Sequence, residues 1–463
     1  MIAQIQKCLK NLGRVYNRLL EVKKDRQVFL VGGAIRDIIL NRPPVDFDFA
    51  VSGSGIKFAL EFAQKIRAKF IILSETEDEA RVVYRKRFIF DFNGLGDKGI
   101  ESDLLRRDFT INAIAFPIPH SALNIPHSAI DPFGGQTDIN RKLIRPVSEQ
   151  SLALDPLRLL RAIRLALELG FTIHDSVYEQ GKAITLKNIA AERLGMEFLR
   201  ILEAPNSYPY LKKLHQLNRL GEIFPELVPL LEDDELCEHT FRTVFKIEEL
   251  LNQPGFFARF EPEWQNYFSS IPYRRALLKL AGLLHDIAKP HTRFTNDSGD
   301  VHFYGHDSLG AKLTTIIGNT RLRLSRTQIK VVRTLVKEHM RLHLLATAPE
   351  LTDRAIRRYF RDLGEEAFGL MLLCYADGWA TAKRTTHLEK TLTRMIEQQR
   401  TEAAKAKIKR LITGDDLIAL GMKPGPVFKV ILQELEDQQI EGKFTTKEEG
   451  LNYLKEYLSR MGK

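Results

Sequence analysis

The stretch Gly32-Gly33-Ala34-Ile35-Arg36-Asp37, followed by Asp46-Phe47-Asp48, decides the interpretation of this 463-residue chain. The residues just before it, Val28-Phe29-Leu30-Val31, are all apolar and predict a buried strand. Glycines directly after such a strand let backbone N–H groups approach an anion where a helix begins. The arginine that follows can hold a phosphate oxygen. The pattern therefore predicts a phosphate-binding turn just ahead of two carboxylates.

Two aspartates separated by one residue are the candidate metal ligands. Because alternate residues of a strand point to the same face, Asp46 and Asp48 project together while Phe47 and Phe49 face the core. Paired carboxylates suit Mg²⁺, and two such ions about 3.5–4 Å apart can activate a 3′-hydroxyl and stabilise a departing pyrophosphate. Asp91 alternates suitably in a later strand to be a third catalytic carboxylate. The alternative is a solvated loop, which the preceding glycine motif disfavours.

These residues resemble the head domain of the tRNA nucleotidyltransferase and bacterial poly(A) polymerase family, the class II branch of the polymerase-β-like nucleotidyltransferases. Three further segments resemble later motifs of this family in the same order: Arg106-Arg107-Asp108-Phe109-Thr110-Ile111-Asn112-Ala113, Asp131-Pro132-Phe133-Gly134-Gly135 and Asp155-Pro156-Leu157-Arg158-Leu159-Leu160-Arg161-Ala162-Ile163-Arg164. The resemblance implies nucleotide-binding roles for ten residues, namely Gly32, Gly33, Arg36, Arg107, Asp108, Asn112, Asp155, Arg158, Arg161 and Arg164.

The last of these motifs is the candidate base-reading helix. Its charged residues recur every three positions and drift slowly around one helix face; they are Asp155, Arg158, Arg161 and Arg164. An aspartate beside the donor fork of an arginine can pair with the edge of cytosine or adenine, and in the family this is the proposed selection device. The family usually has a glutamate where this chain has Leu154, so that residue's bracing role is not transferred. A solvated basic stripe on an amphipathic helix is the alternative.

Two shorter segments also resemble parts of the family. Ala191-Glu192-Arg193 with Glu197 resembles the final head-and-neck motif, which implies that the acid and the base orient the reading helix. A surface charge network at i, i+4 spacing is the alternative. The segment from Thr413 to Pro426 resembles the family's tail, where turn amides could contact RNA phosphate. Its alternative is a helix cap followed by a tight turn.

A second group of residues suits metal chemistry. Its members are His239, His285, Asp286, His306, His339 and Asp377. His285 and Asp286 are predicted inside an apolar helix, and imidazole and carboxylate ligands from separate helices can converge on a transition metal or Mg²⁺. The pattern resembles the HD phosphohydrolase domain, which implies a divalent metal of unspecified identity, and a degenerate structural domain is the alternative. Three histidines fall outside this pattern: His291, His302 and His343.

The order of the motifs predicts an α+β fold, with a polymerase-β-like mixed α/β nucleotidyltransferase head followed by an all-α neck, body, HD domain and tail. The predicted boundaries are residues 1–150 for the head, 151–230 for the RNA-binding neck and body, 231–395 for the HD domain and 396–463 for the tail. Helices are expected over residues 158–169 and 197–202, and a basic helix over 400–410.

Composition and net charge indicate which classes of partner the chain binds. A formal charge of +10 and a pI near 9.3 favour a polyanion, for which tRNA is the simplest candidate. The three cysteines, Cys8, Cys237 and Cys374, are isolated and indicate reduced thiols in a cytoplasmic setting. No segment is long and apolar enough for a signal peptide or a membrane span, so no membrane partner is expected.

The leading hypothesis is therefore an enzyme that adds CMP, AMP or both to the 3′ end of tRNA from CTP and ATP with Mg²⁺. The product could be full CCA, CC only or A only. A poly(A) polymerase is the close alternative, and an HD phosphohydrolase with a nucleotide-binding head is an alternative of another class. A purely RNA-binding protein would leave both groups of metal-type ligands unexplained.

Overall fold

The computed structural model describes residues 1–96, 99–119, 128–404 and 410–460. The chain divides into two compact units, Met1–Lys337 and Glu338–Lys463. The first unit contains a mixed α/β head followed by helical segments, and the described part of the second unit is helical. This architecture confirms the predicted α+β class.

Among the described residues, the head contains a six-stranded sheet whose strand order is β3-β4-β5-β2-β1-β6. Its strands are β1 (Val28–Val31), β2 (Asp46–Val51), β3 (Lys69–Ser74), β4 (Glu79–Tyr84), β5 (Phe88–Gly94) and β6 (Ala115–Pro117). β2 and β5 run parallel, and the other neighbouring pairs are antiparallel. Because β2 and β5 lie side by side, residues about forty positions apart meet in the middle of the sheet.

Aromatic residues at alternate positions of β2 and β5 form the core on one face of the sheet. Phe47 stacks on Phe90 and Phe49 stacks on Phe92, with ring centroids 5.5 and 5.2 Å apart. All four rings are buried, and α4 (Gly55–Ile66) covers them. Burial of both β2 phenylalanines confirms the predicted alternation, which leaves the intervening acidic positions on the opposite face.

Helices make up most of the rest of the first unit. Those of the head are α1 (Ile2–Asn11), α2 (Arg14–Lys23), α3 (Gly33–Ile39), α4 (Gly55–Ile66), α5 (Ile100–Leu105) and α6 (Gly135–Asn140). The later ones are α7 (Ser151–Leu154), α8 (Arg158–Leu169), α9 (Asp175–Ala183), α10 (Ala191–Glu203), α11 (Tyr208–Gln216), α12 (Arg219–Ile223), α13 (Val228–Leu231), α14 (Asp234–Asn252), α15 (Glu261–Ser269), α16 (Arg274–Leu284), α17 (Lys289–Thr292), α18 (His306–Thr320) and α19 (Arg326–Glu338). Two short sheets pair β7 (Leu143–Ile144) with β8 (Thr172–Ile173) and β9 (Arg293–Thr295) with β10 (Val301–Phe303).

The candidate reading helix, α8, has the bounds predicted for it. It ends at Gly170, whose φ of 69° lies in the left-handed region that glycine adopts without steric cost. The helix expected over residues 197–202 lies inside α10. α8 and α10 pack together, and Arg164 Nε on α8 donates to Glu197 Oε2 on α10. Packing against α10 therefore fixes the helix that the site uses.

One helix end differs from the prediction. α16 ends at Leu284, so His285 and Asp286 lie in the turn that follows it, and the prediction that both are inside the helix is wrong. The apolar pattern continues through Ile287 and Ala288, which are buried although they are not helical. Burial after the helix end thus produced a pattern that looked like continued helix.

The second unit contains seven helices in its described part. They are α20 (Arg341–Thr347), α21 (Asp353–Leu363), α22 (Ala367–Ala382), α23 (Thr386–Ala404), α24 (Gly414–Ala419), α25 (Pro426–Ile440) and α26 (Lys447–Arg460). Of the basic helix predicted over 400–410, the first part belongs to α23, and residues 405–409 lie outside the described residues. Thr413 caps α24, since its N–H donates to Asp416 Oδ2 at 2.8 Å, as the helix-cap alternative expects. None of the described helices could span a bilayer.

Candidate active site and HD metal centre

The glycine turn after β1 leaves no room for a side chain. Gly32 has a φ of 76°, and a Cβ there would lie 2.6 Å from Asp48 Oδ2 and 2.8 Å from Arg107 Nη1. Both approaches are closer than real Cβ contacts, so a side chain here would displace Asp48 or Arg107 and would hold the backbone in a strained left-handed conformation. The turn thus brings backbone directly beside a candidate metal ligand and a candidate phosphate ligand.

The three predicted head carboxylates share one face of the sheet. Asp48 on β2 pairs in register with Asp91 on the parallel strand β5, and Asp46 lies two residues before Asp48. Burial, with added repulsion from Asp91 and Asp46 and against the attraction of Arg107, raises the pKa of Asp48 to about 6. Burial and Asp91 also raise the pKa of Asp46. Hard carboxylate oxygens that repel one another in this way fit a divalent cation, which would offset the repulsion.

An arginine that the sequence analysis did not single out joins this row. Arg81 on β4 is the register partner of Asp91, and its Nε and Nη2 donate to Oδ1 and Oδ2 of that aspartate at 2.8 Å each. A bidentate pair of this kind fixes the plane of a carboxylate. The row across β4, β5 and β2 is therefore Arg81, Asp91, Asp48.

Two cavities lie against Asp48 and Arg107, which line both. The first, of about 280 Å³, is lined by Gly32, Gly33, Asp48, Arg107, Asp108, Asn112, Asp155, Arg158, Arg161 and Arg193. The second, of about 390 Å³, has as its charged lining residues Asp48, Glu77, Glu79, Asp91, Asp103, Arg106 and Arg107. The first cavity brings together most residues that were predicted to bind nucleotide, and it adds Arg193. Asp46, Arg36 and Arg164 line neither of these two cavities.

A chain of hydrogen bonds connects the glycine turn to the reading helix. Arg36 Nη1 donates to Asn112 Oδ1 at 2.8 Å, and Asn112 Nδ2 donates to Asp108 Oδ1 at 2.9 Å. The other oxygen of Asp108 accepts from Arg161 Nη2 at 2.7 Å. Burial opposes ionisation of Asp108, but the charge of Arg161 and these hydrogen bonds hold its pKa below the ordinary value. The wall of the first cavity is therefore a connected polar network.

The arginines of α8 already have protein partners. Arg158 Nη2 donates to the Arg106 carbonyl at 2.6 Å, and its Nη1 donates to the carbonyls of Arg107 and Ser151 at 3.1 Å. Arg164 is only 7% exposed, and it donates from Nε to Glu197 and from Nη1 to Glu168. The acidic residue just before α8 is paired as well.

Asp155 lies three residues before the first residue of α8. Its Oδ2 accepts a hydrogen bond from Arg193 Nη2 at 2.8 Å, and its Oδ1 accepts from the Leu157 N–H at 3.2 Å. Arg193 belongs to the segment that resembles the family's head-and-neck motif, so the implied contact between that motif and the reading helix is present. The exposed side chain of Leu154 lies just before this pair in the sequence.

Four of the six predicted HD ligands gather in the first unit. The facing Nε2 atoms of His239 and His285 are 3.2 Å apart, and Asp286 Oδ2 lies 3.2 Å from His285 Nε2 and 3.5 Å from His239 Nε2. His306 Nε2 lies 3.7 Å from Asp286 Oδ1. The ligand atoms of the first three residues all lie within 4.8 Å of one another. Three imidazoles and a carboxylate at this spacing fit a divalent transition metal.

Backbone carbonyls orient two of these imidazole rings. His285 Nδ1 lies 2.9 Å from the Gly282 carbonyl, and His306 Nδ1 lies 2.6 Å from the Phe303 carbonyl. A hydrogen bond at Nδ1 leaves Nε2 of the same ring available as a ligand atom. Lys289 Nζ lies 2.7 Å from Asp286 Oδ2, so the carboxylate has a cation beside it.

The remaining two predicted HD ligands belong to the second unit. The His339 carbonyl accepts a hydrogen bond from Cys374 Sγ at 2.8 Å. Asp377 on α22 has its Oδ2 3.0 Å from Nε2 of His343, a histidine that the sequence pattern left out. Both predicted ligands are buried.

Models of known protein families match most of the chain. The Poly A polymerase head domain matches residues 28–145, and the model named "Probable RNA and SrmB- binding site of polymerase A" matches residues 170–231. The HD domain matches residues 236–378, and tRNA nucleotidyltransferase domain 2 matches residues 320–454. The matches follow the order that the sequence motifs predicted.

Similar curated proteins extend over nearly the whole chain. A CC-adding tRNA nucleotidyltransferase of Thermus thermophilus is 30% identical over 445 residues, with 93% of each chain covered. An A-adding tRNA nucleotidyltransferase of Deinococcus radiodurans is 32% identical over 445 residues, covering 92% of this chain and 95% of its own. Among solved structures, the Thermotoga maritima CCA-adding enzyme complexed with tRNA shares the fold, with a TM-score of 0.66, 20% identity and 98% of each chain covered.

Sequence motifs, the head geometry and these similarities agree on one assignment. The family implies dependence on a divalent metal, for which the head carboxylates offer a fitting donor set. The chain belongs to the tRNA nucleotidyltransferase family, as an enzyme with a polymerase-type head and an HD domain.

Proposed function

We propose that this chain adds CMP, AMP or both to the 3′ end of tRNA, using CTP and ATP as donors and Mg²⁺ as the metal. The observation that carries the proposal is the alignment of Asp48 with Asp91 beside Gly32, at the junction of a nucleotide-sized cavity and an acidic cavity. Relatives named CC-adding and A-adding support the tRNA substrate, as do solved CCA-adding enzymes bound to tRNA, CTP and ATP.

In this proposal the head carboxylates form the catalytic centre. Asp46 and Asp48 hold Mg²⁺, and Asp91 completes the acidic face. When bound, the metal supplies positive charge to the attacking 3′-hydroxyl and to the leaving pyrophosphate. Arg81 keeps the carboxylate of Asp91 in one plane. The chain's own contribution is to hold three carboxylates on adjacent strands in a fixed register.

The first cavity takes the incoming nucleotide. The backbone at Gly32 and the guanidinium of Arg107 face the phosphates, because they lie directly beside Asp48, and Gly33 lines the same cavity. Asp108 and Asn112 form the wall on the sugar side, tied back to Arg36. Gly32 and Arg107 lie beside the metal ligand Asp48 in the lining of this cavity, so phosphate and metal would meet there.

The base edge is read at the start of α8. Asp155 offers an acceptor and Arg158 retains N–H groups beyond those given to carbonyl oxygens, and both line the first cavity. Arg161 binds Asp108 and also lines this cavity, so it keeps its place beside the nucleotide. Arg164 is assigned to holding the helix, since its guanidinium binds Glu197 and Glu168. Direct nucleotide contact by Arg164, expected from the sequence resemblance, is therefore not part of the proposal.

The test is transfer of CMP and AMP to tRNA by variants of the head. Asp46→Ala and Asp48→Ala should abolish transfer while the circular dichroism spectrum stays that of the wild type. Glu61→Ala, at an exposed acidic position on α4, is the matched control and should transfer normally. Full activity in either aspartate variant would overturn the assignment of the catalytic centre.

A poly(A) polymerase is the alternative favoured by one observation, the match of the head to the Poly A polymerase head domain. Such an enzyme would extend many RNAs with AMP alone, whereas tRNA end addition stops after a short defined product. Product length on tRNA and on an unrelated RNA separates the two functions.

We also propose a metal-dependent phosphohydrolase activity for the HD domain. It is supported by the four ligands His239, His285, Asp286 and His306, whose imidazole and carboxylate groups face one another. Release of inorganic phosphate from a phosphomonoester such as p-nitrophenyl phosphate, cleavage of a phosphodiester such as bis(p-nitrophenyl) phosphate, and binding of Mn²⁺ should all be lost in His285→Ala. His387→Ala, at an exposed histidine on α23, is the control and should behave as the wild type.

A further inference from the structure

Helix α10 carries charged side chains that hold the reading segment. Arg193 and Glu197 are four residues apart and share one face of this helix. Arg193 Nη2 donates to Asp155 Oδ2 at 2.8 Å, and Glu197 accepts from Arg164 Nε. Arg193 and Asp155 both line the first cavity. The position of α10 therefore decides how the acidic base-reading group is held.

The opposite face of α10 contacts the loop between α18 and α19, residues 321–325. Gly195 lies two residues from both Arg193 and Glu197, which is about 200° around an α-helix. A Cβ on Gly195 would lie 2.0 Å from the carbonyl oxygen of Leu322 and 2.6 Å from its carbonyl carbon. The loop belongs to the region that matches the HD domain. Backbone of the HD region thus lies directly on the helix that holds Asp155.

The loop is fixed from its other side by α18. The Leu322 N–H donates to the Ile317 carbonyl at 3.2 Å, and the Leu324 N–H donates to the Gly318 carbonyl at 2.8 Å. Both acceptors lie in the last turn of α18, and Leu322 is only 2% exposed. A backbone held in this way cannot give way as the end of a flexible side chain can. Crowding at Gly195 would therefore displace α10 as well as the loop.

A displacement of α10 would reach the base-reading group through one ion pair. The carboxylate of Asp155 is oriented by the Leu157 N–H at 3.2 Å and by Arg193. Leu154, its neighbour in the chain, has no polar side-chain atom that could replace either bond. A shift of Arg193 would leave Asp155 free to rotate, so that it could accept hydrogen bonds from more than one kind of base.

We propose that the contact of the Leu322 carbonyl with Gly195 positions α10 for nucleotide selection, so that the loop 321–325 of the HD region is a specificity element for the head. Gly195 and Leu322 are positioning residues, since neither lines the first cavity and both act through Arg193. This inference rests on the proposed transferase function. A change at the contact should alter the choice of nucleotide more than the binding of tRNA.

The test is nucleotide choice by the full chain on tRNA transcripts that end before CCA, after C and after CC. For each variant, kcat/KM is measured with all four nucleoside triphosphates. Gly195→Ala should lower the ratio of kcat/KM for the nucleotide that the wild type adds to that for the others by about 10- to 100-fold, with the KM for tRNA unchanged. Alanine forms helix better than glycine, so this loss would come from the contact and not from the helix itself. A smaller amount of folded enzyme would lower kcat but would leave the ratio as it is.

Three further variants sharpen the test. Gly310→Ala, on α18 of the same region, is the matched control, because its Cβ would first meet the Val336 side chain at 3.2 Å, and its ratio should equal that of the wild type. Leu322→Ala removes the buried side chain of the loop without crowding Gly195; it should also lower the ratio, and it decides the question if Gly195→Ala does not fold. Arg193→Leu should lower the ratio, and the addition of Gly195→Ala to it should cause no further fall.

A wild-type ratio in Gly195→Ala or Leu322→Ala would overturn the inference, as would a further fall in the double variant. A wild type that adds no nucleotide to any of the transcripts would instead overturn the transferase function on which the inference rests. The two failures are therefore distinguishable in one set of reactions.

Discussion

Arg81 donates hydrogen bonds to both carboxylate oxygens of Asp91, from Nε to Oδ1 and from Nη2 to Oδ2, each at 2.8 Å. Asp91 in turn lies in register with Asp48 on the neighbouring parallel strand. Arg81, Asp91 and Asp48 therefore form a row across three strands, with the cation at one end and a candidate metal ligand at the other. The register of β2 and β5 places these side chains side by side, and the buried phenylalanines of the two strands fix that register.

Loss of the Arg81 fork should slow catalysis more than it weakens nucleotide binding. Arg81→Gln frees the carboxylate of Asp91 to rotate, and a misplaced catalytic group can cost on the order of 100-fold in rate. We expect the single-turnover rate to fall about 10- to 100-fold with a smaller change in KM. Arg81→Lys keeps the charge but not the two-pronged hydrogen bond, so its single-turnover rate should lie between those of the wild type and Arg81→Gln. An unchanged rate in Arg81→Gln would remove the positioning role.

The buried charge of Asp48 should lower the free energy of unfolding at neutral pH when no divalent metal is added. Its pKa in the fold is about 6, above the ordinary 3.8, so the folded state binds the proton more tightly than the unfolded state. The wild type therefore loses stability as the pH rises from 4 through 6. Asp48→Asn removes the charge and should be more stable by about 1–3 kcal/mol at pH 8, with little difference at pH 4.

Urea unfolding at both pH values, with and without Mg²⁺, checks this expectation. Added Mg²⁺ should stabilise the wild type and leave Asp48→Asn unaffected, because the variant lacks the ligand charge. A wild type that is more stable than Asp48→Asn at pH 8 without metal would contradict the predicted sign.

A side chain at Gly32 should disrupt the site. In Gly32→Ala the new Cβ would press on Asp48 Oδ2 and Arg107 Nη1, and the backbone would stay in a left-handed conformation. We expect transfer to drop at least 100-fold in a primer-extension assay. Gly33→Ala, whose Cβ would meet only the flexible end of Arg36 at 3.3 Å, should lose far less.

A further control separates backbone strain from steric crowding. Gly13 has a φ of 55° and nothing within 4 Å of a built Cβ, so Gly13→Ala carries the strain alone. It should be modestly destabilised and fully active. Equal loss of activity in Gly13→Ala and Gly32→Ala would mean that crowding at the site is not the cause.

Breaking the pair of Asp108 and Arg161 should destabilise the head and neck. Asp108 is 7% exposed, and Arg161→Ala would leave a buried carboxylate held only by neutral donors, at a cost of about 3–5 kcal/mol. Asp108→Asn together with Arg161→Ala should recover part of that loss, since no buried charge remains. A double-mutant cycle from urea unfolding measures the coupling, and additive losses would show that the two side chains do not stabilise each other.

The elements that could be predicted are those with a strong local pattern. Apolar runs and alternation located β1 and β2, and the amphipathic period gave the bounds of α8. The acidic row at Asp46, Asp48 and Asp91 followed from the same period of two. Helix α16 was extended too far because buried residues continue beyond its last turn.

What escaped the sequence analysis depends on contacts between distant segments. Arg81 lies in a strand of ordinary alternation, and only the pairing of β4 with β5 places it on Asp91. Arg193 was seen as part of a motif, but its ion pair with Asp155 depends on how α10 packs on α8. The arginine spacing of α8 predicts nucleotide contacts, and these stay predictions; the spacing could not show that Arg161 also binds Asp108 and that Arg164 binds Glu197, because both partners come from distant segments. For Arg81, the usable signal would have been a basic residue in the strand that precedes the predicted strand of Asp91.

Extension of tRNA at single-nucleotide resolution tests the central claim most directly. Transcripts that end before CCA, after C and after CC are incubated with CTP, ATP or both in the presence of Mg²⁺. We expect the wild type to add one to three nucleotides, as CCA, CC or A, and then to stop, and we expect no addition by Asp48→Ala. Long A tails on any RNA, or no addition by the wild type to any of the three transcripts, would contradict the central claim.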